Sequence, residues 1–308
     1  MSDAVTRVRS SVSRDLKTNP PIKTRRRRHT FEYILFLSLA ALIRAVPLEL
    51  ASSWSGFGWR FIARRLYRHK RAIRNLTLSF PDKTSAEIEQ MALGMWDNLG
   101  RTFAEFFHME SLVKSDRIQM SNPELFDALR GPGGSVVCCL HMGNWEIASQ
   151  AGLRIGWRPA GVYQKITNPF VDRFVKAVRG PLYPGGLMEK SSGTARALLR
   201  YARQGGCIAI MADQRTSGGV PSLFFGRAAN STPFPAYVAR SINAPLYVFG
   251  AKRLEGARFS IQLARVVVPR TADSADDVTA ATKNLQSALE LMIREAPEQW
   301  MWAHRRWD

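Results

Sequence analysis

A histidine interrupts an apolar run in the stretch VVCCLHMGNWEIASQ, which covers residues 136–150. His141 follows the apolar residues directly, and Glu146 comes five positions later. A histidine whose ring is held by a carboxylate can take a proton from a hydroxyl group near neutral pH, because one ring nitrogen is fixed and the other stays free. The pair therefore fits a general base with its orienting acid. It equally fits a core histidine that is satisfied by a nearby acid.

Helical geometry limits how His141 and Glu146 can meet. Five residues on one helix turn through about 500°, which leaves the two side chains about 140° apart. A turn at Gly143–Asn144 would end the strand at His141 and start a helix near Asn144, a favourable N-cap residue. Glu146 would then lie in the first helical turn and accept the proton of one imidazole nitrogen. No serine nucleophile is evident beside the pair, so it suits a reaction in which the substrate brings its own hydroxyl.

The surrounding sequence predicts an α/β fold with a central, mostly parallel sheet flanked by helices. Short segments rich in apolar residues predict strands, and segments with a period near 3.6 predict helices. The predicted strands cover residues 135–140, 159–164, 207–212, 244–253 and 258–268, and the predicted helices cover 82–110, 144–155, 168–179, 194–205 and 276–296. Reactive groups in such sheets gather beyond the carboxyl ends of strands. His141 and Asp213 each follow a predicted strand, so we expect them near one site.

The chain has 308 residues, 45% of them hydrophobic, which is enough for a substantial core. Its formal net charge is +19, and residues 1–30 contribute nine basic and two acidic side chains. We expect residues 1–30 to be a disordered basic arm. The basic balance implies an anionic partner, whether nucleic acid, a membrane surface, a phosphorylated substrate or an acidic protein.

Residues 31–72 predict a membrane-anchoring segment. Its uninterrupted apolar core runs only from Tyr33 to Ile43, whereas a spanning helix needs about 20 residues. Basic clusters flank both sides, and a spanning helix would place one of them on the disfavoured side. We therefore favour a segment that lies in the cytoplasmic leaflet. A single spanning anchor and a helix pair packed on the protein's own core are the alternatives.

Five stretches resemble one family of enzymes. HMGNWE is similar to the H-x4-[D/E] motif of glycerolipid-type acyltransferases, in the form found in the late acyltransferases of lipid A biosynthesis. Four further stretches resemble that family in the same order: RAIRNLTLSFPDKT, WDNLGRTFAEFF with the acid Glu105, ADQRTSGGVPSLFFGRAANST and PEQWMWAHRRW. The resemblance covers roughly residues 31–308, and residues 73–308 would form the catalytic domain.

This resemblance implies transfer of a fatty acyl chain from acyl carrier protein to a hydroxyl of a phosphorylated lipid A precursor. The reaction would take place at the cytoplasmic face of the inner membrane, with His141 as general base and Glu146 as its partner. No metal or other cofactor is implied. We take seven further residues as substrate-binding: Asn144, Lys165, Asn168, Asp213, Gln214, Arg227 and Arg305.

Several of these residues have other interpretations. Lys165 stands where the family often has an arginine, and lysine is a point charge without the bidentate fork. Arg227 could bind a phosphate or be an exposed loop arginine. Asp213 could orient a base or cap the next turn. Arg305 follows a tryptophan-rich strip that could clamp a lipid headgroup or simply dock the segment. The other histidines, His29, His69, His108 and His304, have no acid at a persuasive spacing and are expected to be structural or solvated.

Two alternative functions remain open. The first is an acyltransferase for another membrane acceptor, either a lysophospholipid or a glycolipid. The second is a membrane-associated nucleic-acid-binding protein, which the arginine-rich arm would favour. The sequence shows no helix-turn-helix, stacking-aromatic platform or zinc pattern, so we expect no nucleic-acid partner.

Overall fold

The computed structural model describes residues 22–130 and 133–307. Four helices open the described chain: α1 (Ile22–Ala45), α2 (Leu48–Ala63), α3 (Tyr67–Ser79) and α4 (Ser85–Phe107). Pro47 separates α1 from α2. Thr84 begins α4 with a capping box that includes Glu87, and the helix predicted over residues 82–110 is confirmed. Helix α2 packs closely on α4, because Gly100 leaves room for the backbone of Ser55 and Gly56.

Seven strands form one sheet in the order β1, β9, β8, β2, β5, β3, β4. The sheet strands are β1 (Ile118–Met120), β2 (Val136–Cys139), β3 (Pro159–Tyr163), β4 (Gly186–Glu189), β5 (Cys207–Met211), β8 (Leu246–Arg253) and β9 (Phe259–Val266). Neighbouring strands are parallel except for the antiparallel pair β8 and β9. A separate antiparallel hairpin is formed by β6 (Val220–Phe224) and β7 (Arg227–Ser231). The mostly parallel α/β architecture is therefore confirmed.

Helices cover both faces of this sheet. The remaining helices are α5 (Met109–Lys114), α6 (Pro123–Asp127), α7 (Gln150–Arg154), α8 (Pro169–Arg179), α9 (Thr194–Arg203), α10 (Phe234–Ser241) and α11 (Ser274–Glu295). Alternate residues of β2 enter opposite cores, since Val136 and Cys138 belong to one cluster and Val137 and Cys139 to the other. Helices α4, α9, α10 and α11 contribute to the first core, and α5 and α6 contribute to the second.

Three expectations about element boundaries need correction. Helix α1 begins at Ile22, so residues 22–30 are helical and only residues 1–21 of the expected disordered arm lie outside the described residues. The expected domain boundary at residue 72 falls inside α3. The predicted helix at 144–155 is a 3-10 turn, Trp145–Ile147, followed by the short α7. Strands β1 and β4 and the β6–β7 hairpin were not predicted, because none of them is a continuous apolar run.

The expected membrane-anchoring segment corresponds to α1, α2 and the start of α3. Over the described ranges, none of the helices combines the length and hydropathy that crossing a bilayer requires. These helices nevertheless expose many large apolar side chains, namely Phe31, Ile34, Leu35, Leu42, Trp54, Phe57, Phe61, Ile62 and Tyr67. The exposed large apolar side chains are therefore concentrated on α1 and α2.

Candidate active site

The candidate site lies beyond the carboxyl ends of β2 and β5. These two strands are parallel neighbours, with Cys139 opposite Met211 at the end of the ladder. His141 follows Cys139 by two residues, and Asp213 follows Met211 by two residues. Because both residues come two positions after paired strand ends, their side chains meet at the same edge of the parallel sheet.

Asp213 holds the imidazole of His141 from a fully buried position. His141 Nδ1 lies 2.9 Å from Asp213 Oδ1, and the backbone N–H of His141 donates to Oδ2 at 2.7 Å. Trp300 Nε1 donates to the same Oδ2 at 2.8 Å. With Nδ1–H directed at a carboxylate, the lone pair belongs to Nε2, which lies 3.4 Å from the amide nitrogen of Gln214. His141 therefore presents Nε2 as a proton acceptor.

Glu146 contacts an arginine instead of the imidazole. Arg179 of α8 donates to Glu146 through two nitrogens, with Nε at 2.7 Å from Oε2 and Nη2 bonded to Oε1. We expected Glu146 to accept the imidazole proton, but Asp213 takes that place. The 3-10 turn after Asn144 points Glu146 towards α8, whereas the β2–β5 pairing fixes Asp213 beside His141. Asp213, which was expected to bind substrate, therefore orients the histidine.

The charges in this site set the protonation of His141. Burial by itself would lower the pKa of His141, but the charge and hydrogen bond of Asp213, together with the charge of Glu146, raise it above its ordinary value. Burial also opposes ionisation of Asp213, yet the contacts with His141 hold the pKa of that carboxyl well below its usual range. Asp213 is therefore a carboxylate at neutral pH, and His141 is a stronger base than a free histidine.

A second histidine, His304, lies against the first. The ring centroids of His141 and His304 are 5.1 Å apart in an edge-on arrangement. Burial lowers the pKa of His304 to about 4, and the charges of His141, Arg68 and Arg71 act in the same direction. His304 is consequently neutral at pH 7. Sequence reasoning missed this residue, because no acid at a recognisable spacing marks it.

The segment 299–301 closes the site by pairing with the loop after β2. The N–H of Gly143 donates to the carbonyl of Gln299 at 3.1 Å, and the N–H of Met301 donates to the carbonyl of His141 at 3.1 Å. Met142 and Trp300 form an isolated antiparallel bridge between these contacts. The loop 141–144, which carries the candidate catalytic histidine, is thus fixed by a segment far away in the sequence.

A buried ion pair between α4 and β8 also supports the loop 141–144. Glu105 of α4 pairs with Arg253 of β8, with Nη2 at 2.9 Å from Oε2. Asn144 donates to Glu105 Oε2 at 2.8 Å, and Ser52 of α2 donates to Oε1 at 2.7 Å. Glu105 thereby connects helix α2 to the catalytic loop through hydrogen bonds to one carboxylate.

Gly143 requires a backbone that only glycine adopts easily. Its φ is +56°, and a Cβ at this position would overlap the carbonyl of Ala251. Asn98 and Thr102 of α4 both donate to its carbonyl, at 2.9 and 3.0 Å. The loop can therefore take this path only with a residue that lacks a side chain.

The other residues expected to bind substrate have mixed surroundings. Asn144 is buried and supports the loop, since its side chain also accepts from the N–H of Glu146 at 3.1 Å. Gln214 is exposed beside His141. Lys165 forms an exposed ion pair with Glu189 at 3.0 Å. Asn168 caps α8 and donates to the carbonyl of His29 at 2.8 Å.

The two candidate arginines have different surroundings. Arg227 stacks over Trp307 with its guanidinium carbon 4.2 Å from the ring centroid. Arg305 is exposed, whereas its neighbour Arg306 is fully buried. Arg306 donates to Ser231 at 2.7 Å and to Gln286 at 2.9 Å, so it docks the segment after residue 299 on β7 and α11.

In the part of the chain that the structure describes, no cluster of three or more histidine, cysteine, aspartate or glutamate side chains could hold a metal ion.

The fold and the site together match the resemblance seen in the motifs. A histidine oriented by a buried carboxylate at the ends of parallel strands has the geometry of a general base. The chain belongs to the bacterial lipid A biosynthesis acyltransferase family, whose family model matches residues 21–308. It is also 24% identical, over 292 residues, to the lipid A biosynthesis lauroyltransferase of Escherichia coli (strain K12), a match that covers 90% of this chain and 92% of that protein. The chain is therefore an acyltransferase of lipid A biosynthesis.

Proposed function

We propose that this enzyme moves a fatty acyl chain from acyl carrier protein to a hydroxyl group of a phosphorylated lipid A precursor. The observation that carries the proposal is the proton-accepting Nε2 of His141, whose ring is oriented by the contact of Nδ1 with Asp213 at 2.9 Å. Family membership supplies the reaction class and the type of acceptor. The basic character of the chain, with a net charge of +19, favours both an acidic carrier protein and a phosphorylated acceptor.

His141 acts as general base in this mechanism. Nε2 takes the proton of the acceptor hydroxyl while that oxygen attacks the thioester carbonyl of the donor. The resulting tetrahedral intermediate collapses, the carbon–sulfur bond breaks, and the carrier thiolate takes the proton from the imidazolium. Asp213 keeps Nδ1–H in the correct tautomer and stabilises the positive charge that forms on His141.

Glu146 acts as a positioning residue in this mechanism. Its two contacts with Arg179 hold the start of the 3-10 turn against α8, and its charge adds to that of Asp213 in raising the pKa of His141. The histidine and the acid of the H-x4-E motif thus act together without a direct hydrogen bond. Asn144, between them, fixes the loop through Glu105.

The proposed location is the cytoplasmic face of the inner membrane. Trp54, Phe57 and Phe61 follow one face of α2 with exposed fractions of 64%, 73% and 60%. Basic side chains lie beside them at Arg60 and Arg64. Exposed aromatic residues next to basic residues are typical of helices that lie at an anionic membrane surface.

The test is acyl transfer from acyl-loaded carrier protein to a phosphorylated lipid A precursor, with the wild type and His141→Ala compared at equal folding. We expect transfer by the wild type and a loss of several orders of magnitude in the variant. His108→Ala is the matched control, because that histidine contacts the carbonyl of Ile43 away from the site. Transfer that survives in His141→Ala would contradict the role of His141. Absence of transfer by the wild type would contradict the lipid A acceptor and favour a lysophospholipid or another glycolipid.

A further inference from the structure

We propose that Arg68 and Arg71, on α3, form a subsite that binds a phosphate group of the lipid acceptor beside His304. This inference rests on the proposed function and specifies how the acceptor is held. Arg68 lies outside the five stretches that resemble the family, and Arg71 is the first residue of RAIRNLTLSFPDKT.

The first argument is closeness to the reacting group. Arg71 Nη1 donates to the carbonyl of Ala303 at 3.2 Å, and the next residue, His304, lies with its ring centroid 5.1 Å from that of His141. Arg68 is three residues before Arg71 on the same helix, so both lie on one face. Both charges also lower the pKa of His304, which is consistent with their nearness to it.

The backbone of this region is fixed, so the arginines have a stable position relative to the site. Asn75, one turn after Arg71, donates to the carbonyl of Trp302 at 2.9 Å and to that of His304 at 3.2 Å. Helix α3 is therefore tied directly to the segment that carries His304. A ligand bound at Arg68 would keep a defined distance from Nε2 of His141.

The second argument is the state of Arg68. It is exposed, and among the described residues no carboxylate forms an ion pair with it. Arg64, one turn earlier, pairs with Glu89 at 3.6 Å. A guanidinium binds a phosphate through two parallel hydrogen bonds, and an exposed arginine beside a reaction site is well suited to this role.

The third argument identifies the source of the phosphate. The residues that precede Arg68 in the chain include exposed apolar side chains, with Phe61, Ile62 and Tyr67 at 60%, 57% and 75% exposure. A molecule that carries fatty chains and a phosphorylated headgroup complements this combination of apolar and basic surface. The surface of an acidic carrier protein is complemented by basic charge and needs no neighbouring apolar surface. The neighbouring surface therefore favours the lipid acceptor.

The experiment measures binding of a fluorescent lipid A precursor to the full chain by anisotropy, in neutral detergent micelles without anionic lipid. Two acceptors are compared, one phosphorylated and one dephosphorylated, with the wild type, Arg68→Ala and Arg68→Lys. We expect Arg68→Ala to weaken binding of the phosphorylated acceptor about tenfold, since a hydrogen-bonded charge pair is lost. Arg68→Lys should recover part of the affinity, and binding of the dephosphorylated acceptor should be the same in all three proteins.

Arg196→Ala provides the matched control, because Arg196 is an exposed helical arginine on α9, outside the proposed subsite. An equal loss for both acceptors in Arg68→Ala would overturn the inference, because the contact would not involve phosphate. A loss that appears only on anionic vesicles would assign Arg68 to the membrane surface and overturn it too. Turnover measured in parallel separates the two proposals. If the wild type binds the phosphorylated acceptor through Arg68 but does not acylate it, the proposed function is contradicted and the phosphate subsite is not.

Discussion

At the scale of single residues, His141 and His304 show how position determines the chemistry of one side-chain type. The two rings lie 5.1 Å apart, yet only His141 contacts the carboxylate of Asp213. Asp213 and Glu146 outweigh burial at His141 and raise its pKa, whereas burial and positive neighbours lower the pKa of His304 to about 4. One histidine is therefore available to cycle a proton near neutral pH while its neighbour stays uncharged.

Removing the charge of Asp213 should change both the rate of acyl transfer and its dependence on pH. His141 must be neutral to act as a base, so kcat/KM falls as the pH decreases through the pKa of His141. Asp213 raises that pKa, and therefore Asp213→Asn should move the fall to lower pH. We also expect kcat at the optimum to decrease by about 10³- to 10⁴-fold, as when the orienting acid of a triad is lost.

The measurement is a pH–rate profile from pH 5 to about 9, the range in which histidines titrate in proteins. Asp277→Asn is the control, since Asp277 is another buried acid that pairs with Arg240, at 2.7 Å. A profile of Asp213→Asn that keeps both the rate and the acid limb of the wild type would contradict the role of Asp213.

At the scale of elements, the catalytic loop 141–144 depends on three separate parts of the chain. Strands β2 and β5 align His141 with Asp213, α4 holds Gly143 and Asn144, and the segment 299–301 pairs with the loop backbone. Each part fixes a different group of the loop. The site is therefore rigid because these contacts act together.

Gly143→Ala should disrupt this loop more than a substitution at an ordinary glycine turn. The positive φ costs about 1–2 kcal/mol for a residue with a side chain, and the overlap with the carbonyl of Ala251 adds to that cost. We expect a loss of more than about 3 kcal/mol in the free energy of unfolding, together with loss of transfer. Thermal denaturation and the transfer assay provide the two measurements.

Gly156→Ala is the matched control for this prediction. Gly156 also has a positive φ, of +86°, but a Cβ there would meet no atom within 4 Å. We expect only the backbone cost of about 1–2 kcal/mol and nearly normal activity. Equal effects of the two substitutions would show that the approach of Ala251 has no part in shaping the loop.

The sequence predicted the features that depend on local pattern. Strands β2, β3 and β5 are continuous apolar runs, and His141 and Asp213 stand directly after two of them. Their contact needed one further fact, that β2 and β5 are neighbours, which depends on packing across 72 residues of sequence. Glu146 was assigned to His141 because it is close in the chain, and the direction of the short turn could not be foreseen.

The features that the sequence did not predict lack a periodic signal. The partly exposed strand β4 has no apolar run, and polar residues interrupt β6 and β7. His304 and Arg306 lie in a segment without regular structure, and their roles come from contacts with distant elements. Arg305 and Arg306 are adjacent arginines, and nothing in the sequence indicates which of the two is buried.

At the scale of the whole molecule, one surface combines exposed apolar and basic side chains. Helices α1 to α3 carry most of the exposed large apolar residues in the described chain, and basic residues flank them. The catalytic loop is joined to this surface by Ser52, which donates to Glu105 at 2.7 Å. This arrangement suits an enzyme with a lipid acceptor, because the apolar surface and His141 keep a fixed relative position.

Replacing the aromatic residues of α2 should weaken membrane binding without changing the catalytic site. Trp54, Phe57 and Phe61 are exposed on one face, so the triple change to serine should leave the fold intact. We expect binding to anionic vesicles to fall at least about tenfold, since each aromatic side chain contributes apolar area to the interface. Vesicle co-sedimentation at increasing salt measures the effect. The binding that remains in the triple variant depends on basic side chains, so it should decrease more steeply with salt than binding of the wild type.

The control is Leu291→Ser on α11, a side chain that is 67% exposed away from these helices. It should bind vesicles like the wild type. If the triple variant also binds vesicles like the wild type, α2 does not lie at the membrane surface.

The pairing of residues 141–143 with residues 299–301 has a consequence for the order of events during synthesis. The ribosome makes the apolar helices first and His141 soon afterwards, but Trp300, which binds the carboxylate of Asp213, follows much later. During that interval α2 can already meet a membrane, while the catalytic loop still lacks the segment that closes it. The order of synthesis therefore makes α2, the proposed membrane-binding helix, available before the loop 141–144 can be closed.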